Sequence, residues 1–190
     1  MARWEPGARE RLVVAAVDLF TEQGYDATTV AQIVQRAGVT KSTFFRYFPD
    51  KRDLLVAGQE ALSNLLVEGI AGAPDDAGPL AAVAAGLERA STAFGPMNRE
   101  LAPRLKAAVA ASTELQARDA LKSVGLTAAM TAALAGRGVP DVTAHLAAEL
   151  GALAFKRAYA RWSEADRDEA FAPYALAALD ELRAASAALD

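Results

Sequence analysis

Between Thr28 and Lys51 the chain reads TTVAQIVQRAGVTKSTFFRYFPDK, two short helical signals around an Ala-Gly-Val turn, with hydroxyls, cations and aromatics concentrated on the second. The first signal starts at Thr29, which with Gln32 three residues on makes a capping box. Its apolar positions Val30, Ile33, Val34 and Ala37 follow the i, i+3, i+4, i+7 spacing of a buried helical face, and Gly38 supplies the turn. The second opens with Thr40 as N-cap and is stopped by Pro49. At about 100° per residue, Phe44 and Phe48 point into a core, Ser42 and Arg46 lie roughly opposite, and Lys41, Thr43, Phe45 and Tyr47 flank them. That outer surface suits a DNA major groove: cations can donate to guanine edges or phosphates, hydroxyls can read either, and an aromatic can rest on a thymine methyl. Lys51 and Arg52 could add phosphate contacts.

In the order helix, Gly-Tyr, Thr-Thr-Val, helix-turn-helix, aromatic-rich helix, Lys, this segment resembles the DNA-binding head of the TetR family of bacterial transcriptional regulators. The matching residues are Phe20, Gly24, Tyr25, Thr28, Thr29, Val30, Ile33, Ala37, Gly38, Val39, Thr43, Phe44, Tyr47, Phe48 and Lys51. The resemblance implies phosphate contacts at Thr29, Phe45, Tyr47 and Lys51 and base-facing positions at Lys41, Ser42 and Thr43, with Thr40 and Arg46 completing the candidate interface. Phe45 stands where the family most often has tyrosine, and Ala31 where some members place a base-reading side chain.

The net charge of -4 over 190 residues looks wrong for a DNA binder until the charges are placed. Residues 1–52 hold eight Lys/Arg against six Asp/Glu, and the remaining 138 hold twelve against eighteen, so the head is +2 and the rest -6. The complete lack of cysteine excludes disulfides, thiolate zinc sites and cysteine nucleophiles. The short apolar stretch Leu12 to Val17 is broken by Asp18 and followed by no cleavage site, and no segment reaches the roughly 20 apolar residues of a membrane span. These readings predict a cytoplasmic protein without a membrane anchor. Arg3, in the leading MARWEP, is placed to reach a minor groove if that tail orders on DNA.

The rest of the chain predicts an all-α fold. Helix 1 spans about Gly7 to Gln23, with Leu12, Ala15, Ala16, Leu19 and Phe20 as its buried stripe. Asp50 is expected to cap a fourth helix running through Leu54, Leu55, Leu62, Leu65, Leu66 and Ile70 to the breaker GAPDDAGP, linking head to body. Breaks at Gly95-Pro96, Ser112-Thr113, Gly136 to Pro140 and Ser163 to Asp166 then delimit five more helices, for about nine in all. Thr113 with Gln116 repeats the capping-box pattern. The expected organisation is a DNA-binding domain at 1–52 and a ligand-binding and dimerisation domain at 53–190, with 53–71 continuing the connecting helix. LGALAFKRAYARW is similar to the body of regulators of the mycofactocin-system subgroup, which implies an acyl-CoA-like ligand.

Within the body, the bulky side chains Phe94, Met97, Leu101, Leu105, Met130, Phe155, Tyr159 and Trp162 are candidates to line an apolar pocket, with Arg104, Lys106 and Arg157 available for an anionic ligand end. Leu146, Leu150, Gly151, Ala154 and Ala158 on the penultimate helix, with Leu176, Leu179 and Leu182 on the last, form stripes that fit either a two-fold subunit interface or packing inside one subunit. The chain has no Glu-x-x-His pair, a single histidine, His145, and no glycine-rich phosphate loop, which speaks against an enzyme; no cofactor is implied. The expected function is a homodimeric repressor that holds a palindromic double-stranded operator and releases it on binding a small, mainly apolar effector. The competing reading is a dimeric helical ligand-binding protein whose head has lost DNA binding.

Overall fold

The computed structural model describes residues 7–54, 58–165 and 169–189. Among these, nine α-helices and one 3-10 turn account for all regular structure: α1 (Ala8–Gln23), α2 (Val30–Ala37), α3 (Lys41–Tyr47), the turn Lys51–Leu54, α4 (Gln59–Ala71), α5 (Pro79–Ser91), α6 (Pro96–Ala110), α7 (Thr113–Gly136), α8 (Asp141–Glu164) and α9 (Phe171–Ala187). The first three breaks expected after Pro79 coincide with helix boundaries, whereas at the fourth α8 runs on through Ser163 to Glu164 and Asp166 lies outside the described residues. No helix among the described residues is long and apolar enough to cross a membrane. Arg3 and Leu55 lie outside the described residues.

Two compact units emerge: Met1–Ala57 with Leu101–Leu121, and Gly58–Glu100 with Lys122–Asp190. The first is built around α1, whose Leu12, Ala15, Ala16, Leu19 and Phe20 meet Ile33, Val34 and Ala37 of α2 and Phe44 and Phe48 of α3. Ala108 and Leu115, from the end of α6 and the start of α7, complete that core. Sequence patterning assigned this segment to the body; its apolar residues instead close the head. Arg104 joins it by an ion pair with Asp18 of α1.

The linking helix differs from expectation. Asp50 introduces only the 3-10 turn, and α4 begins afresh after Gly58, whose φ of 92° lies in the left-handed region where a side chain is strained. Leucine spacing alone could not reveal that interruption, because it continues in phase on both sides. At α7 the cap is Ser112, whose Oγ accepts the Leu115 N–H at 3.4 Å, one residue before the expected Thr113. Pro103 sits inside α6, where the helix runs on past its missing N–H.

In the second unit α4 packs on α5, α8 on α9, and α5 against both α8 and α9. Small residues set the spacing: a Cβ on Gly86 would come within 2.9 Å of the Leu66 carbonyl oxygen, and one on Gly151 within 2.6 Å of Val83 Cγ1. Arg137 closes the end of α4 by donating to the carbonyls of Ile70, Ala73 and Pro74 at 3.2, 2.9 and 2.6 Å. The Ile70 and Pro74 oxygens also accept the Ala73 and Ala77 N–H groups at 3.3 and 2.9 Å, and the guanidinium adds charge-assisted donors to them. Arg137→Ala is expected to destabilise the protein by about 1–3 kcal/mol, a fall of a few degrees in the thermal midpoint. An unchanged midpoint in scanning calorimetry would mean water serves those carbonyls equally well.

Candidate nucleic-acid interface

Three local devices present α3. Thr29 caps α2: its hydroxyl accepts the Gln32 N–H at 3.3 Å while the Gln32 carboxamide takes the Thr29 N–H at 2.8 Å. Gly38, at φ 64°, turns the chain in the left-handed conformation, and the Val39 N–H closes on the Val34 carbonyl at 3.0 Å. Thr40 then caps α3 by accepting the Thr43 N–H at 3.1 Å. The capping box, the turn and the second cap all stand where the residue pattern predicts them.

The two faces of α3 separate as the 100° rule requires. Phe44 and Phe48 are buried at 0% and 2% exposure and pack against each other with ring centroids 5.7 Å apart. Lys41, Ser42, Phe45, Arg46 and Tyr47 are exposed and Thr43 is half-buried. Phe45 keeps 56% of its surface accessible, although it is an apolar ring. Arg46 folds over the Tyr47 ring, 5.0 Å from its centroid, so these two side chains form one cationic and aromatic surface.

Thr29 and Tyr47 are exposed as a phosphate contact demands, and so is Ala31. Lys51 is otherwise placed. Its ammonium donates to the carbonyls of Tyr25 at 2.7 Å and Thr28 at 2.8 Å and lies 3.8 Å from the Tyr25 ring centroid. An ammonium has three donors, so at most one remains for a phosphate. Burial pushes its pKa down from the ordinary lysine value, opposed by the carboxylates of Asp26, Glu114 and Asp50. Those three acids border a shallow concavity of about 450 Å³ beside Phe45 and Lys51, which makes its floor a poor place for an anion. Arg52 is likewise drawn to Asp50 and, at 3.7 Å, to Glu114.

Glu114 is a residue that sequence reading missed. Its carboxylate accepts from the Tyr25 hydroxyl at 3.3 Å, and burial followed by this neighbouring charge pushes the phenol pKa well up. Eighty-nine positions separate the pair, beyond the reach of any local pattern.

The other candidates divide. Leu101 and Leu105 fall in the unit of the head, not with the rest of the expected pocket. Met130 is 1% exposed and meets Gly151, as core rather than as an open wall. Phe94, Phe155, Tyr159 and Trp162 do come together, joined by Phe171, which stacks on Phe94 at 4.4 Å. Met97 is half-buried in the same unit. Arg157 lies 3.6 Å from Glu181, and His145 is exposed beside Glu149.

The small-residue row is a correction as well. Gly151, Ala154, Ala158 and Leu179 are buried within the subunit, so they cannot face a partner. Leu146 is 59% and Leu153 44% exposed, while Leu150, Leu176 and Leu182 are half-buried. Among the described residues no group of three or more His, Asp or Glu is arranged to hold a metal.

Comparison with known proteins agrees with this geometry. Residues 12–57 match the model of the bacterial regulatory proteins, tetR family. The chain is 33% identical to the transcriptional regulator TcmR of Streptomyces glaucescens over 75 residues, covering 40% of this chain and 33% of that one. It is 45% identical to the regulator HbdR of an Aromatoleum strain over 47 residues, 25% of this chain and 20% of HbdR. The matches thus span about a third or less of these relatives' length. A TetR-family regulator from Syntrophomonas wolfei shares the fold with a TM-score of 0.62 at 18% identity, covering 95% of each chain. The head carries a helix-turn-helix of the kind found in bacterial regulatory proteins, within an all-helical fold. Residues 12–57 are thus similar in sequence to the TetR family, and the whole chain is similar in fold to a TetR-family structure.

Lys51→Met keeps the aliphatic stem on Tyr25 and removes both carbonyl contacts. It is expected to lower the stability of the head by about 1.5–3 kcal/mol. Hydrogen exchange of the Thr28 to Ala37 amides should rise; if it stays at the wild-type rate, the lysine does not hold this loop.

Proposed function

We infer that this protein is a sequence-specific DNA-binding transcriptional regulator: a homodimeric repressor that occupies a palindromic operator and leaves it when a small apolar or acyl-type ligand fills the body. The observation that carries the DNA reading is the division of α3, with Phe44 and Phe48 fully engaged behind and a hydroxyl, cationic and aromatic edge in front. Lys41, Ser42 and Thr43 are assigned to base edges. Thr29, Phe45, Tyr47 and the remaining donor of Lys51 are assigned to the backbone, with Thr40 and Arg46 beside them. Phe45 meets a sugar or a thymine methyl, because it lacks the hydroxyl that a phosphate would need.

A seven-residue helix reaches few base pairs, and a two-fold pair of heads doubles the contacts. The support for a dimer is the apolar edge of α8, where Val142, Leu146 and Leu153 are 79%, 59% and 44% exposed at spacings of four and seven. Two such edges meeting about a dyad would bury them. For the effector, the support is the half-buried part of the aromatic cluster, Phe94, Phe155 and Tyr159, which offers an apolar wall. A ligand that favours the form incompatible with DNA must weaken operator binding by the factor by which DNA weakens its own binding.

Gel shift with the chain's own upstream DNA should give a sequence-selective complex that weakens steeply with salt. Lys41→Ala and Thr43→Ala are expected to relax base preference, each by about 1–3 kcal/mol of discrimination. Retained selectivity in both variants would refute the base assignment. A complex unaffected by every apolar or acyl-type compound that perturbs Trp162 emission would refute release by ligand.

Leu146→Glu with Leu153→Glu should convert the protein to monomers in analytical ultracentrifugation and weaken operator binding by at least tenfold, through loss of the second head. A double variant that still sediments as a dimer would place the interface elsewhere.

A further inference from the structure

The first turn of α3 holds two hydroxyls whose protons are not independent. Thr40 Oγ1 accepts the Thr43 N–H at 3.1 Å and lies 3.0 Å from Thr43 Oγ1. Each hydroxyl has one proton and two lone pairs, and the hydrogen bond between them uses one of the two protons. Only one is left to point outward. If Thr43 donates, both lone pairs of Thr40 are occupied, by that proton and by the amide, and Thr43 shows only lone pairs. If Thr40 donates, Thr43 directs its own proton outward.

We propose that Thr40 is a specificity-determining positioning residue that fixes whether Thr43 meets a base as donor or as acceptor. The inference rests on the reading that the exposed edge of α3 faces bases. Thr40 is the more exposed of the two and stands outside the helix as its cap. A phosphate oxygen can only accept, so one seated against Thr40 takes the Thr40 proton. Thr43 must then donate to Thr40 and becomes an acceptor toward the groove. In the major groove an acceptor meets the exocyclic amino group of cytosine or adenine and is repelled by guanine O6 and thymine O4. Thr43 thus selects a base bearing an amino group, at one position of each half-site.

Selection from a randomised duplex library by the full chain, followed by sequencing, tests this. Wild type and Thr40→Ser should share a preference for cytosine or adenine at one position, which Thr43→Val abolishes. Glycine is also a good N-cap but leaves the Thr43 hydroxyl free to rotate, so Thr40→Gly should lower the preference there by about three- to tenfold. Preference at the other positions should persist in every variant, showing that the head is folded. A selective wild type whose base distribution survives Thr40→Gly unchanged overturns the role of Thr40, as does a wild-type preference for guanine or thymine at the position that Thr43→Val alters. A wild-type chain that enriches no sequence overturns the DNA reading itself, and this inference with it.

Discussion

Burial of Phe44 and Phe48 beneath α1 and α2 is the constraint from which the candidate interface follows. A seven-residue helix is too short to persist in water alone, so α3 exists only because its rear face is held in the core of the head. Each phenylalanine contributes roughly 1.5–3 kcal/mol by leaving water. Once they are fixed inward, helical geometry leaves no choice about Ser42 and Arg46: they must face out. The exposure of Phe45, which would raise the stability if it too were buried, shows how strictly that rotation is enforced.

Lys51 shows how one residue can be called by two kinds of chemistry. By residue type and position it reads as a phosphate contact, yet the Tyr25 and Thr28 carbonyls and the Tyr25 ring engage most of its capacity. The loop it holds leads directly into the cap of α2, so its effect on any DNA-facing surface passes largely through Thr28 and Thr29. Carboxylates from Asp26, Asp50 and Glu114 offset the cations Lys51 and Arg52 in that concavity, whereas Lys41 and Arg46 are exposed outside its lining.

Similar logic governs the second unit. Alanine and glycine rows allow two helices to approach closely, and periodicity cannot say whether the partner helix belongs to the same chain. Gly151, Ala154 and Ala158 found theirs within the subunit, with Val83 and Met130 against Gly151, while the leucines at Leu146 and Leu153 were left outside. The aromatic residues expected to line a cavity mostly satisfy one another, because T-shaped and stacked ring pairs are themselves a stable way to fill space.

By itself the sequence determined what is local: the helix count, the caps at Thr29 and Thr40, the turn at Gly38, and the division of α3 into a buried and an exposed side. These depend on hydrogen bonds and side-chain periodicity within a few residues, which a linear string records directly. Tertiary structure alone decided that Ala108 and Leu115 complete the head, that Glu114 meets Tyr25, that Gly58 interrupts the linking helix, that Phe171 joins the aromatic cluster, and that the small-residue row packs inward. In most of these the partners are tens of residues apart or more, and at Gly58 the leucine spacing runs unbroken through the interruption. Contact between distant segments is set by the competition of all apolar faces for the same interior, and no single stretch of sequence contains its outcome.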